Sequence, residues 1–244
     1  MIDSQVDIQT KDGKTTTFIT HPERGGPFPV IIFYMDAPAI REELRDMARR
    51  LGTSGYYVML PNMYYRSGEM ELGPINPDPE SPERKKMFAL MNSLNIPLVM
   101  DDTKGLLAYA ETQKAANTKI IGTVGYCMSG RYAVNAATHF GDRVKAAASV
   151  YGTHLATDQT DSPHLAAQKT KAELYFACAE TDIYAPQEII EKVKQGMKGS
   201  NNEVEIYPGT HHGFAFPKRP VYDRDAAERH WERLLALYRR NLAS

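Results

Sequence analysis

The sequence predicts an α/β fold: a mostly parallel central sheet flanked by helices on both faces and entered through an N-terminal antiparallel hairpin. Three observations carry that expectation. β-rich or continuously apolar runs alternate with helical patterns along the chain, the sign of successive βαβ units. Pro29 to Met35 (PVIIFYM) is apolar without interruption, as a strand buried on both faces is. Asp12-Gly13 lies between the β-rich stretches Val6–Thr10 and Thr15–Thr20, a strong hairpin signal. The 244 residues amount to about 1.6 domains at ~150 residues each, and since α/β chains of this length commonly form one, residues 1–244 are expected to make a single domain.

The elements follow in order. After the central strand, Glu42–Leu51 has Leu44, Met47, Ala48 and Leu51 at helical spacing, and Gly55 separates it from a strand at Tyr56–Leu60. From residue 61 to about 98 the pattern loosens, with Pro74, Pro77, Pro79 and Pro82 crowded before a helix starting near Glu83. This stretch reads as an excursion near the active-site edge of the sheet. Helix is then expected at Asp101–Gln113, strand at Lys119–Gly125, helix at Met128–Phe140, and strands at Val144–Tyr151 and Ala172–Ala179. A helix at Pro186–Met197, a strand at Glu203–Tyr207 and a last helix at Arg224–Asn241 complete the order.

Composition narrows the function. At 42% hydrophobic and 24% charged residues the chain is neither disordered nor fibrous. With 29 Lys and Arg against 30 Asp and Glu and no basic stretch, nucleic acid is not an expected partner. No apolar run approaches the ~20 residues of a membrane span and the start has no leader pattern, so a cytoplasmic protein without a membrane partner is expected. Cys127 and Cys178 form no CxxC pair, which argues against a disulfide framework or a zinc knuckle.

One of these cysteines has the setting of a nucleophile. Lys119 to Arg131 reads as a strand, a tight turn and a helix with Cys127 at the apex. Such a turn strains the apical backbone and needs small residues two before and two after, which Gly125 and Ser129 are. Ser129 cannot be the apex, because Arg131 would then occupy the crossing. A thiol at a helix start feels unpaired N–H groups and the positive dipole end, which favour thiolate, and the amide of Met128 is placed to donate to an oxyanion. Cys178, inside the apolar strand LYFACA, reads as core.

A thiolate wants a base, and the base an orienting carboxylate. Asp182 follows the strand ending at Ala179, and His212 follows the strand ending at Tyr207. The order Cys, Asp, His is that of the α/β-hydrolases. Glu180 is the rival of Asp182, and His211 the rival of His212.

At these residues the chain resembles the dienelactone hydrolase family, α/β-hydrolases with a Cys-His-Asp triad, over nearly its whole length. The resemblance rests on Gly125-Tyr-Cys-Met-Ser-Gly130, Glu180-Thr-Asp-Ile-Tyr-Ala-Pro186, His212-Gly-Phe214 and Pro61-Asn-Met-Tyr-Tyr-Arg66. It implies that Cys127 attacks an ester carbonyl, that His212 handles the proton, that Asp182 orients His212, and that Met128 and Ala37 supply the oxyanion-hole amides. The family keeps a glutamate after its first core strand to govern the resting thiol, and here that position is Asp36. Of the family's two carboxylate-binding arginines, Arg84 is similar to the first, while Phe216 stands at the second. Lys218, Arg219 or Arg66 could compensate, and Tyr151 is expected to line the pocket.

The expected activity is therefore cleavage of a small-molecule ester or lactone, dienelactone-like, through a thioacyl-enzyme, with no cofactor and no metal, by a monomer or homodimer. A broad-specificity carboxylesterase or thioesterase, favoured by Phe216, is the alternative on the same scaffold. A non-catalytic ligand-binding or redox-sensing protein is the reading from a different class.

Overall fold

The computed structural model of the chain describes residues 1–197 and 202–243. It divides into two compact units, Met1–Thr118 and Lys119–Ser244. The class is the one the sequence predicts: strands that run mostly parallel, helices against them, and an antiparallel hairpin at the start.

In the first unit, β1 (Ile2–Thr10) and β2 (Gly13–His21) form the hairpin, paired from Ile2↔His21 to Thr10↔Gly13. β2 continues antiparallel onto β4 (Tyr57–Pro61), and β4 pairs in parallel with β3 (Phe28–Tyr34). All seven β3 residues are buried, as the unbroken apolar run requires. The helix α1 (Glu42–Thr53) buries the predicted stripe Leu44, Met47, Ala48 and Leu51 and packs on β4 and β2.

The excursion contains a short 3-10 turn at Tyr65–Ser67 and the helix α2 (Pro82–Asn92), whose start Ser81 caps by accepting from the Arg84 amide. The next helix, α3 (Ile96–Glu111), begins five residues before the expected Asp101. The reason is local: the Asn95 side chain accepts from the Leu98 amide at 2.9 Å, and Pro97 sits in the first turn, where its missing N–H does no harm.

β5 (Ala116–Tyr126), which belongs to the second unit from Lys119 on, pairs in parallel with β6 (Val144–Val150), and β7 (Glu173–Thr181) and β8 (Glu203–His211) follow in that order. A 3-10 turn at Cys127–Ser129 leads from β5 into α4 (Gly130–His139), so the helix expected from Met128 opens as this tighter turn. A short α5 (Pro163–Ala166), absent from the sequence reading, precedes β7. The helix α6 (Gln187–Gly196) follows β7, and α7 (Arg224–Asn241), capped by Asp223, packs on β6 and β7. β8 runs four residues beyond its expected end at Tyr207, with an irregularity in its pairing to β7 that brings Thr181 opposite His211.

Gly105 tests how tightly α3 lies on the hairpin. Alanine would gain about 1 kcal/mol in helix propensity. A Cβ there, however, would sit 2.7 Å from the carbonyl oxygen of Gln9, and backbone of a paired strand cannot swing away. Overpacking of about 1–3 kcal/mol should win. Gly105→Ala is expected to lower the melting temperature, and a rise would show that the contact yields.

Candidate active site

The centre of the second unit is the crossing of β5 with α4. A Cβ on Gly125 would lie 2.1 Å from the Ser129 carbonyl oxygen, and one on Gly130 would lie 2.2 Å from Ser149 Oγ. Chain passing this closely leaves the apical residue no ordinary conformation, and Cys127 has φ of 55°. For a residue with a Cβ this is the strained left-handed region, of the kind that clusters at active sites. The thiol is partly exposed, the Met128 side chain behind it is buried, and the Thr153 amide donates to the Cys127 carbonyl at 3.0 Å.

Asp182 sits directly after β7, its side chain only 1% exposed. One carboxylate oxygen, Oδ1, accepts from the Tyr184 amide at 2.9 Å, which fixes the rotamer. The other, Oδ2, accepts from His212 Nδ1 at 2.7 Å. Since a carboxylate only accepts, Nδ1 carries the proton and Nε2 is the working edge of the ring. Nε2 is buried and makes no hydrogen bond of ordinary length and angle, although Cys127 interacts with the ring by charge and contact. Loose thiol–imidazole geometry is usual before substrate binds.

The electrostatics follow from this placement. Burial disfavours the imidazolium, but the neighbouring Cys127 sulfur and the hydrogen-bonded Asp182 outweigh it, and the pKa of His212 is pushed up to about 9 from 6.5. Cys178 behaves oppositely: burial, helped by the Asp182 charge, pushes its thiol up to about 12. It is therefore a poor nucleophile and a core residue. The rivals diverge as well. Glu180 is exposed and accepts from the Gly209 amide at 2.8 Å, and His211 is an exposed strand end.

Aromatic rings confine the imidazole. Tyr184 and Tyr151 meet His212 edge-on at 4.9 and 5.1 Å between ring centres. Tyr151 also packs on Phe214 and Phe216, and Tyr126 on Phe216. Tyr184 was not singled out by sequence reasoning, although it lies in the quoted segment after Asp182; its ring position depends on the turn that its own amide closes. Phe216, expected to face substrate, has no exposed surface and works as packing behind Tyr151, with the Arg219 guanidinium 4.9 Å above its ring. Tyr151 itself is almost fully buried and has φ of 35°.

The remaining candidates lie in the first unit. Asp36 is fully buried and accepts two hydrogen bonds from Arg41, at 2.6 and 3.1 Å. Burial opposes the charge on Arg41, but Asp36 and Glu43 more than offset it and hold the guanidinium charged. Ala37 is buried, and its carbonyl accepts from the Tyr64 hydroxyl at 3.0 Å. Arg84 donates to the Pro77 carbonyl at 2.9 Å and lies over the Phe88 ring. Arg66, expected as a possible substrate contact, is committed elsewhere: it pairs with Asp102 at 2.6 Å and Asp12 at 2.8 Å, bracing the hairpin turn. Among the described residues no group of three or more His, Cys, Asp or Glu is arranged to hold a metal ion, and no helix is long and apolar enough to cross a membrane.

Comparison with known proteins agrees with this fold. The sequence pattern of the Dienelactone hydrolase family matches residues 15–242. The chain belongs to that family. Among its relatives is a protein of Methylorubrum extorquens named "Putative carboxymethylenebutenolidase", 26% identical over 98% of this chain and 81% of its own. A protein of the same name from Synechocystis is 25% identical over 97% of this chain and 96% of its own. Of solved structures, the "Putative Dienelactone Hydrolase" of Klebsiella pneumoniae superposes with TM-score 0.86 at 22% identity, covering 97% of this chain and 98% of that one. A dienelactone hydrolase-like promiscuous phosphotriesterase from metagenomic libraries gives 0.79 at 16% identity, with 99% of both chains covered. These neighbours share the α/β-hydrolase fold, and family membership makes the chain a hydrolase, with ester or lactone hydrolysis the activity of the family.

Two outcomes check the site. Cys127→Ala removes the strongest influence raising the His212 pKa, so the ring should titrate well below 9 in the variant when followed by proton NMR; titration still near 9 would place the influence elsewhere. Gly125→Ala should leave little folded protein by circular dichroism, because its Cβ would meet backbone at 2.1 Å.

Proposed function

We propose that this dienelactone hydrolase family member cleaves an ester or lactone through a covalent thioester on Cys127, with His212 as proton carrier and Asp182 as its orienting carboxylate. The observation that supports it most is the pairing of a strained apical cysteine at φ 55° with an imidazole held by Asp182 at 2.7 Å. The Cys127 thiolate attacks the carbonyl carbon, and the charge passes to the carbonyl oxygen, stabilised by the Met128 amide. As the C–O bond to the leaving group breaks, the His212 imidazolium protonates the departing alkoxide. Neutral His212 then takes a proton from water, the hydroxide attacks the thioester, and the acid leaves as the thiolate–imidazolium pair returns. In a lactone the leaving alcohol stays attached, so one hydroxy acid is released.

A general carboxylesterase is the second reading, and one observation favours it: Phe216, where the family resemblance expects an arginine, is buried among Tyr126 and Tyr151. The stacked Arg219 favours the first, since a guanidinium held on that ring suits a carboxylate. Acid release from a cis-dienelactone and from a neutral activated ester separates the two.

Cys127→Ala is expected to abolish turnover, at least 10³-fold, while Cys178→Ala keeps it; equal loss in both would remove the assignment. Asp182→Asn should lower kcat by about 10²–10⁴ through the wrong imidazole tautomer.

A further inference from the structure

The first turn of α4 carries an arginine that no carboxylate of the described residues neutralises. Arg131 is half-buried, its Nη2 donates to the Tyr132 hydroxyl at 2.6 Å, and its guanidinium lies 4.7 Å from the centre of that ring. Its Nε is buried without a hydrogen-bond partner. Arg41, Arg49, Arg66, Arg229, Arg233 and Arg240 each pair with Asp or Glu. A guanidinium partly withdrawn from water, with one donor buried and no counter-ion, is a costly arrangement that an anion from outside relieves.

A histidine within reach of that charge adds no counter-charge. The Arg131 charge reaches the His154 ring and, with the partial burial of that ring, holds its imidazole below the ordinary range. Nδ1 is within 2.9 Å of Thr153 Oγ1, and on this exposed side chain Nε2 remains for a ligand. The loop that presents it is strained at both Tyr151 and His154, with φ of 35° and 54°. It is also fastened to the reacting centre, since the Thr153 amide holds the Cys127 carbonyl at 3.0 Å.

We propose that Arg131 and His154 form an oxyanion-binding site beside the elbow, taking a carboxylate or phosphate group. The guanidinium supplies charge and a planar donor edge, and His154 a second donor. The anion is either carried by the ester substrate, which rests on the hydrolase reading above, or free in solution, which does not.

The test follows the His154 ring by NMR while inorganic phosphate is added to wild type, Arg131→Gln and Arg131→Lys. Alongside, kcat/KM is measured for two aryl esters differing only in a carboxylate on the acyl group. A saturable shift in wild type, weakened at least ten-fold in Arg131→Gln and less in Arg131→Lys, is expected. A ten-fold or larger fall in the charged-to-neutral kcat/KM ratio of Arg131→Gln assigns the anion to the substrate, and an unmoved ratio with phosphate binding lost assigns it to a free anion. A ring indifferent to phosphate, or one responding equally in Arg131→Gln, overturns the site. Phosphate binding by a wild type that cleaves neither ester would leave the site standing and remove the hydrolase reading.

Discussion

The close passage of β5 and α4 is the constraint on which the second unit depends. Gly125 lets β5 and the start of α4 approach until a single methyl would collide with the Ser129 carbonyl, while Gly130 lets α4 lie against the Ser149 hydroxyl of β6. The turn between them is then too short for a relaxed apex, and Cys127 takes the strain at φ 55°. Backbone strain of this kind persists only where the surroundings over-determine it. Here they do so through buried β5 and β6 on one side and the Thr153 amide on the other. The helix start that results presents amide N–H groups and positive dipole to the same point.

Charge is arranged around that point in a graded way. Asp182, buried and fixed by the Tyr184 amide, orients His212 and favours its protonated ring. The two sulfurs of the chain illustrate how much environment decides: Cys178 is buried in β7 and held as a thiol, whereas Cys127 is partly exposed beside an imidazole that stabilises negative charge. Tyr151 and Tyr184 limit the ring to the orientation that keeps Nδ1 on Asp182, so geometry and electrostatics reinforce each other.

Much of this was legible in the chain because it is local. The Gly-x-Cys-x-Ser spacing reports the crossing directly, the apolar runs report buried parallel strands, and Asp182 and His212 announce themselves as polar residues just after strands. What stayed hidden depends on partners far apart in sequence. Arg66 reads as a possible substrate contact until Asp12 and Asp102 meet it from either side in sequence. Phe216 reads as a pocket wall until Tyr126 and Tyr151 cover it. The early start of α3 is legible in Asn95 and Pro97, a cap and a first-turn proline that lie outside the expected Asp101–Gln113. Arg131 served only to exclude Ser129 as the apex, because the absence of a counter-ion is a property of space, not of spacing.

Covalent attack by Cys127 is the central step of the proposed reaction, and trapping the intermediate tests it most directly. Wild-type protein mixed with a slowly turned-over activated ester, quenched in acid within the first turnover and analysed by intact and peptide mass spectrometry, should gain one acyl group on the peptide that contains Cys127. An acyl group on any other residue, or complete turnover with no adduct at any quench time, would contradict it.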